Sequence, residues 1–193
     1  MRKIGITGSI GSGKSVVGGI LRKHGYSVLD ADKKVHELYA SDMNLRKELS
    51  FAFGKECLTQ TGVDKAFLAK LIFTNVEAKR RLESIVYPYL SRSIIQYFRN
   101  AFDEPYGKEL VFVEAALFAR IPEVVKVLDE AWIVFAPENM RYNRLMARGL
   151  SQEDARRRIE TQRNEALPLV NKLVPIENEG DMESLEKRVL RLL

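Results

Sequence analysis

The chain has 193 residues, 46% hydrophobic and 30% charged, enough for one domain, or one core with an insertion, that buries a sizeable apolar interior. Its formal net charge of +5, from 31 Lys and Arg against 26 Asp and Glu, suits an anionic small molecule and is too weak and dispersed to argue for nucleic acid. The single cysteine, Cys57, excludes an internal disulfide, and neither a secretory leader nor a bilayer-spanning apolar run is visible, so no membrane partner and a cytoplasmic location are expected.

Arg2-Lys3-Ile4-Gly5-Ile6-Thr7 reads as a short strand, and residues 15–23 as a helix with Val16, Ile20 and Leu21 at helical spacing. Between them lies Gly8-Ser9-Ile10-Gly11-Ser12-Gly13-Lys14-Ser15, the G-x-x-x-x-G-K-S pattern of a phosphate-binding loop. Its glycines let successive backbone N–H groups turn inward on phosphate oxygens, and the helix that follows adds its positive end. In this pattern Lys14 reaches the β- and γ-phosphates and the Ser15 hydroxyl ligates Mg²⁺. Tyr26-Ser27-Val28-Leu29-Asp30 is a second strand, followed by a helical pattern from Asp32 through Val35, Leu38 and Tyr39; strand, helix, strand is the start of a parallel sheet.

From Leu45 to Phe102 the strand signal disappears, and the pattern is helical with breaks near Gly54, Gly62 and Pro88. The sheet resumes at Leu110–Glu114 and Ala131–Phe135, apolar runs of the kind covered on both faces. A last strand, Leu173–Glu177, carries Pro175 and is placed at a sheet edge, because proline cannot donate to a ladder. Residues 137–163 form an arginine-rich helical section broken at Gly149, with a helix N-terminus at Ser151. Arg141, Arg144 and Arg148 share one helix face there and are assigned to phosphate, whereas Arg156, Arg157 and Arg158 read as solvated surface. An amphipathic helix, Met182–Leu193, closes the chain.

A phosphate loop does not name a reaction. The N-K-x-D and D-x-x-G elements of GTPases are absent, whereas a small kinase with a helical lid and a helical acceptor insert fits the length. At this level an acceptor that is a nucleoside, a nucleotide or a sugar acid remains open, as does a non-catalytic nucleotide-binding regulator.

The chain resembles the dephospho-CoA kinases over nearly its whole length. The resemblance rests on Ile6 through Ser15, on Val28-Leu29-Asp30-Ala31-Asp32 with His36 four residues on, and on Phe53-Gly54 and Thr61-Gly62-Val63-Asp64. It continues through Leu82-Glu83-Ser84-Ile85-Val86-Tyr87-Pro88, the lid residues Arg144-Leu145, Arg148, Ser151 to Ala155 and Arg158 to Gln162, and Asn178. Four positions depart from the family pattern: Val16 replaces its Thr, Tyr87 its His, Ala116-Leu117-Phe118 its P-L-L run, and Arg141 its Gln.

The resemblance implies an α/β P-loop NTPase fold: a five-stranded parallel sheet with helices on both faces, the core at about 1–40, 108–136 and 170–193, a helical acceptor-binding insert at about 41–107 and an arginine-rich lid at about 137–165. It implies ATP-dependent phosphorylation of the ribose 3′-hydroxyl of dephospho-CoA with Mg²⁺, the last step of coenzyme A biosynthesis, with ATP and dephospho-CoA as partners and the oligomeric state left open. By resemblance Asp32 is the base and Lys14 the second catalytic residue. ATP contacts fall to Gly8, Gly11, Ser12, Gly13, Lys14, Ser15, Val16, Arg144, Arg148 and Asn178, and acceptor contacts to Asp32, His36, Tyr87, Pro88, Arg92, Leu117 and Arg141. On its residue type alone Asp32 serves equally well as a helix cap. Besides Ser15, Asp30 and Glu114 are candidates to reach the metal through water, or are strand-end carboxylates in solvent.

Overall fold

A computed structural model describes residues 1–103, 109–163 and 166–193. Parts of the expected core, insert and lid boundaries, at 104–108 and 164–165, lie outside the described residues. In chain order the elements are β1 (Arg2–Thr7), α1 (Lys14–Lys23), β2 (Ser27–Asp30), α2 (Ala31–Ser41), α3 (Met43–Phe53), β3 (Leu58–Thr59), β4 (Gly62–Val63), α4 (Lys65–Thr74) and α5 (Val76–Phe102). They continue with β5 (Leu110–Glu114), α6 (Pro122–Val125), β6 (Glu130–Phe135), α7 (Glu138–Ala147), α8 (Gln152–Thr161), β7 (Leu173–Glu177) and α9 (Met182–Leu190). The chain divides into two compact units, residues 1–29 with 97–193 and residues 30–96.

The first unit is built on a five-stranded parallel sheet in the order β2-β5-β1-β6-β7. β1 lies in the middle, its Ile4 opposite Phe112 of β5 and its Ile6 opposite Trp132 of β6. Ile4, Ile6, Phe112 and Trp132 pack with Val17, Ile20 and Leu21 of α1 and Leu185 and Val189 of α9 in one buried cluster. Each such side chain contributes roughly 1.5–3 kcal/mol on burial, which is why these runs are strands and helix stripes at all. Phe118 and Leu128 pack where Gly5 leaves room. β7 pairs only with β6, at the edge that Pro175 demands.

Helices α7 and α8 follow β6, separated by Gly149 at φ +86°. Ser151 caps α8, its Oγ accepting the Asp154 N–H at 3.1 Å. The pair has its own small core of Leu145, Ala155 and Ile159, while Arg156, Arg157 and Arg158 are exposed as expected.

The second unit is helical, and its helices start at acidic or amide caps: Asp30 on α2, Asp42 on α3, Asp64 on α4 and Asn75 on α5. Two expectations are corrected here. Gly62 lies in a short hairpin, β3 against β4, paired Leu58 to Val63 and Thr59 to Gly62. Strands this short show no alternation in sequence. Pro88 does not break the chain either, because α5 runs through it. The proline removes one backbone hydrogen bond, but it faces solvent while Val86, Tyr89 and Leu90 beside it are buried and hold the helix together.

Glu130 is 4% exposed at the start of β6. It accepts from Lys172 Nζ at 2.7 Å and from Trp132 Nε1 at 3.2 Å, with Arg2 at 3.9 Å. Burial pushes its carboxyl up, but the bonds from Lys172 and Trp132 and the charges of Lys172 and Arg2 outweigh this and hold it below the ordinary 4.5. A carboxyl depressed in the folded state stabilises the fold above its unfolded pKa, and that stabilisation is lost as pH falls through the folded value. Glu130→Gln should therefore lower Tm at pH 7, with the gap to wild type closing below about pH 4.5. A gap that is the same at pH 7 and pH 3.5 would remove this ionised carboxylate from the stability of the sheet.

Candidate active site

In the first unit the loop from Gly8 to Ser15 joins β1 to the start of α1. Gly11 and Gly13 have φ of +78° and +102°, in the left-handed region, and both also sit under close neighbours. A Cβ on Gly13 would stand 2.2 Å from Asn178 Nδ2, and one on Gly11 2.9 Å from the Arg141 carbonyl oxygen. Lys14 Nζ donates to the Gly8 carbonyl at 2.8 Å. Ser15 Oγ donates to Glu114 Oε1 at 2.6 Å. Glu114 is 6% exposed, and among the described residues its Oε2 finds no hydrogen-bond partner, nor does Ser12 Oγ. A buried carboxylate with a vacant oxygen beside a serine hydroxyl is the hard-oxygen environment that a divalent cation or its water selects.

The loop is held from outside. Arg144 of α7 donates through Nη1 to the carbonyls of Gly11 and Ser12, both at 3.2 Å, and through Nη2 to the Asn178 carbonyl at 2.9 Å. Buried Asn178 donates Nδ2 to the Ser12 carbonyl at 2.7 Å, and its own N–H bonds Phe135 O at 2.8 Å. Ile10, at the tip of the loop, packs against the α7–α8 core, and its N–H donates to Gln162 Oε1 at 2.6 Å. Arg141 is half-buried, 3.9 Å from Glu138, and Arg148 is exposed at the end of α7. Val16 packs on the main core. Leu117 lines a cavity of about 260 Å³ together with Gly8, Ser9, Phe135 and Gln162.

The remaining expected residues lie in the second unit. Asp30 Oδ1 accepts the Lys33 N–H at 3.1 Å and so caps α2. Asp32 sits in the first turn of that helix, exposed, with His36 one turn on and also exposed. Capping is thus done by Asp30, and Asp32 makes no hydrogen bond among the described residues. Tyr87, Pro88 and Arg92 lie along one stretch of α5. The Arg92 guanidinium stands over the Tyr89 ring, 4.4 Å from its centroid. Tyr89 donates to Glu48 at 2.7 Å, and that bond pushes its hydroxyl pKa up.

The family model for dephospho-CoA kinase matches residues 2–184. A dephospho-CoA kinase from Carboxydothermus hydrogenoformans is 33% identical over 196 residues, covering 98% of this chain and 92% of its relative. The chain belongs to the dephospho-CoA kinase family. Among solved structures, TT1252 from Thermus thermophilus is 34% identical with a TM-score of 0.76, covering 99% of this chain and 95% of that one. Dephospho-CoA kinase from Campylobacter jejuni is 25% identical with a TM-score of 0.70, covering 100% and 96%.

Two contacts of this family member were not visible in its sequence. Gln162 figured only as part of a lid pattern, and Ile10 only as a variable position of the loop. An apolar branched side chain in an otherwise small and polar loop is the one local signal of such a partner. The outside clamp yields an expectation for Asn178→Ala. The variant leaves the Ser12 carbonyl with only its bond from Arg144, a loss of about 0.5–1.5 kcal/mol, and relaxes the loop that the nucleotide needs. Denaturant unfolding with and without ATP should show lower stability and a smaller ATP-induced gain; an unchanged ATP-induced gain would separate Asn178 from nucleotide binding.

Proposed function

We propose that this chain transfers the γ-phosphoryl group of ATP to the ribose 3′-hydroxyl of dephospho-CoA, giving CoA and ADP in the cytoplasm. The observation that carries this reading is a P-loop whose Ser15 is backed by the buried Glu114 and whose Lys14 rests on the Gly8 carbonyl, in a member of the dephospho-CoA kinase family. The N–H groups of Gly11, Gly13, Lys14 and Ser15 receive the phosphates, while that of Ser12 stays on the Ser9 carbonyl at 3.1 Å. Lys14 exchanges the Gly8 carbonyl, a neutral acceptor, for charged phosphate oxygens, which hold an ammonium more strongly.

Ser15 and Glu114 would hold Mg²⁺, Ser15 directly and Glu114 through water, with Asp30 a weaker candidate because its Oδ1 already accepts a backbone N–H. When bound there, the ion would supply neutralisation of the charge that develops on the phosphoryl group. The vacant Oε2 of Glu114 is the feature that fits it. Arg144 and Asn178 fix the loop, Val16 seats its helix, and Arg148 and Arg141 supply lid cations. Asp32 takes the proton of the 3′-hydroxyl, as an uncommitted carboxylate can. We assign the acceptor to the helical insert through His36, Tyr87, Pro88 and Arg92, with Leu117 from the core. Closure of the lid excludes water, which would otherwise compete for the phosphoryl group.

The test is ADP release from ATP with and without dephospho-CoA, in Mg²⁺ and in excess EDTA, with mass detection of the product. Dephospho-CoA heavier by one phosphoryl group, formed only with Mg²⁺, is expected. ADP release that ignores dephospho-CoA would keep the nucleotide site and discard the acceptor. Asp32→Asn should bind ATP as wild type does and lose about 10²–10⁴-fold in kcat; normal turnover by that variant would take the base role away from Asp32.

A further inference from the structure

Gln162 ends α8 at a junction of three features. Its Oε1 accepts the Ile10 N–H at 2.6 Å. A backbone N–H can be accepted only by the oxygen end of a carboxamide, so the bond fixes which end is which, and Nε2 is the free end. Among the described residues Nε2 has no hydrogen-bond partner. Gln162 also lines the cavity of about 260 Å³ that Gly8 and Ser9 border.

The cavity adjoins a particular end of the loop. Lys14, whose ammonium serves the β- and γ-phosphates in this motif, rests on the Gly8 carbonyl at 2.8 Å. The Gly8–Ile10 side is therefore the terminal-phosphate side, and the turn into α1 is the inner one. Neighbouring Arg163 does not supply a free cation there, since it pairs with Glu138 at 3.2 Å and Glu160 at 3.1 Å. We propose that Gln162 is a terminal-phosphate ligand: one end of its carboxamide is pinned to the loop, and the other donates N–H to the phosphoryl group that is transferred. This rests on the kinase reading above and adds a contact to it. The pinning matters because a donor already oriented loses little freedom when the phosphate arrives.

Gln162→Glu tests this with nearly unchanged shape. It keeps an oxygen for the Ile10 N–H and replaces the donor with a negative charge. ATP and ADP affinities are measured by direct binding, together with Tm and steady-state rates. We expect Tm within a few degrees of wild type, ATP binding weakened about 10-fold or more with ADP within about twofold, and kcat reduced about 10–100-fold. Gln162→Leu, which loses both ends, should also weaken ATP more than ADP and should lower Tm. Equal losses for ATP and ADP in both variants would make Gln162 a structural staple and overturn the proposal, as would a Gln162→Glu enzyme with wild-type ATP binding. If wild type leaves dephospho-CoA unphosphorylated, the acceptor reading fails by itself, and Gln162 is still judged by the ATP-against-ADP difference.

Discussion

The phosphate loop depends on what happens to the carbonyls on its outer side. A loop that turns its N–H groups inward must turn carbonyls outward, and here those carbonyls meet protein. An unpaired buried carbonyl costs about 1–3 kcal/mol, so several left unpaired would outweigh the loop. Arg144 removes that cost with one planar group, reaching Gly11, Ser12 and Asn178 at once. Lysine could not do the same, because its ammonium has no fixed fork. Asn178 supplies the second donor to Ser12. The two residues come from α7 and from just beyond β7, so the sheet order itself brings the clamp to the loop.

That clamp ties the α7–α8 pair, proposed above as the lid, to the loop. Its first helix is bonded to the loop through Arg144, its second through Gln162, and its apolar core takes in Ile10. Moving the stem of α7 and α8 away from the loop would expose Ile10, free the Ile10 N–H and take Arg144 from the Gly11, Ser12 and Asn178 carbonyls, leaving Ser12 its bond from Asn178. The stem is thus part of what holds the phosphate loop, and the loop's conformation is shared between β1, α1 and the α7–α8 pair.

What the sequence disclosed follows from how local each signal was. The phosphate loop, the edge strand with Pro175 and the Gly149–Ser151 junction are contiguous patterns, and each appears where its residues place it. The Ser15–Glu114 bond joins residues 99 positions apart and exists because the parallel register sets Glu114 opposite Ile6. Strand order and register are properties of the sheet, which no local pattern carries. Arg144 was assignable to the phosphate region by its helix face, but its guanidinium meets backbone carbonyls, and a helical wheel cannot distinguish those from phosphate oxygens. Pro88 misled for the opposite reason. Its local cost is real, and the buried neighbours that outweigh it only become neighbours in the fold.

The start of α2 shows how two carboxylates two residues apart can be given different work. A helix start leaves N–H groups without partners, and a carboxylate there is drawn into capping them. Were Asp32 the cap, its oxygen would be engaged by backbone and poorly placed to accept a proton from an alcohol. Asp30 occupies the cap position instead, with extended backbone at φ −95° and ψ 112°, and bonds the Lys33 N–H. Asp32 then falls inside the first turn, where its side chain leaves the helix without a backbone bond to make. The Asp-Ala-Asp spacing therefore has a physical reason beyond family likeness: the first carboxylate satisfies the helix so that the second need not.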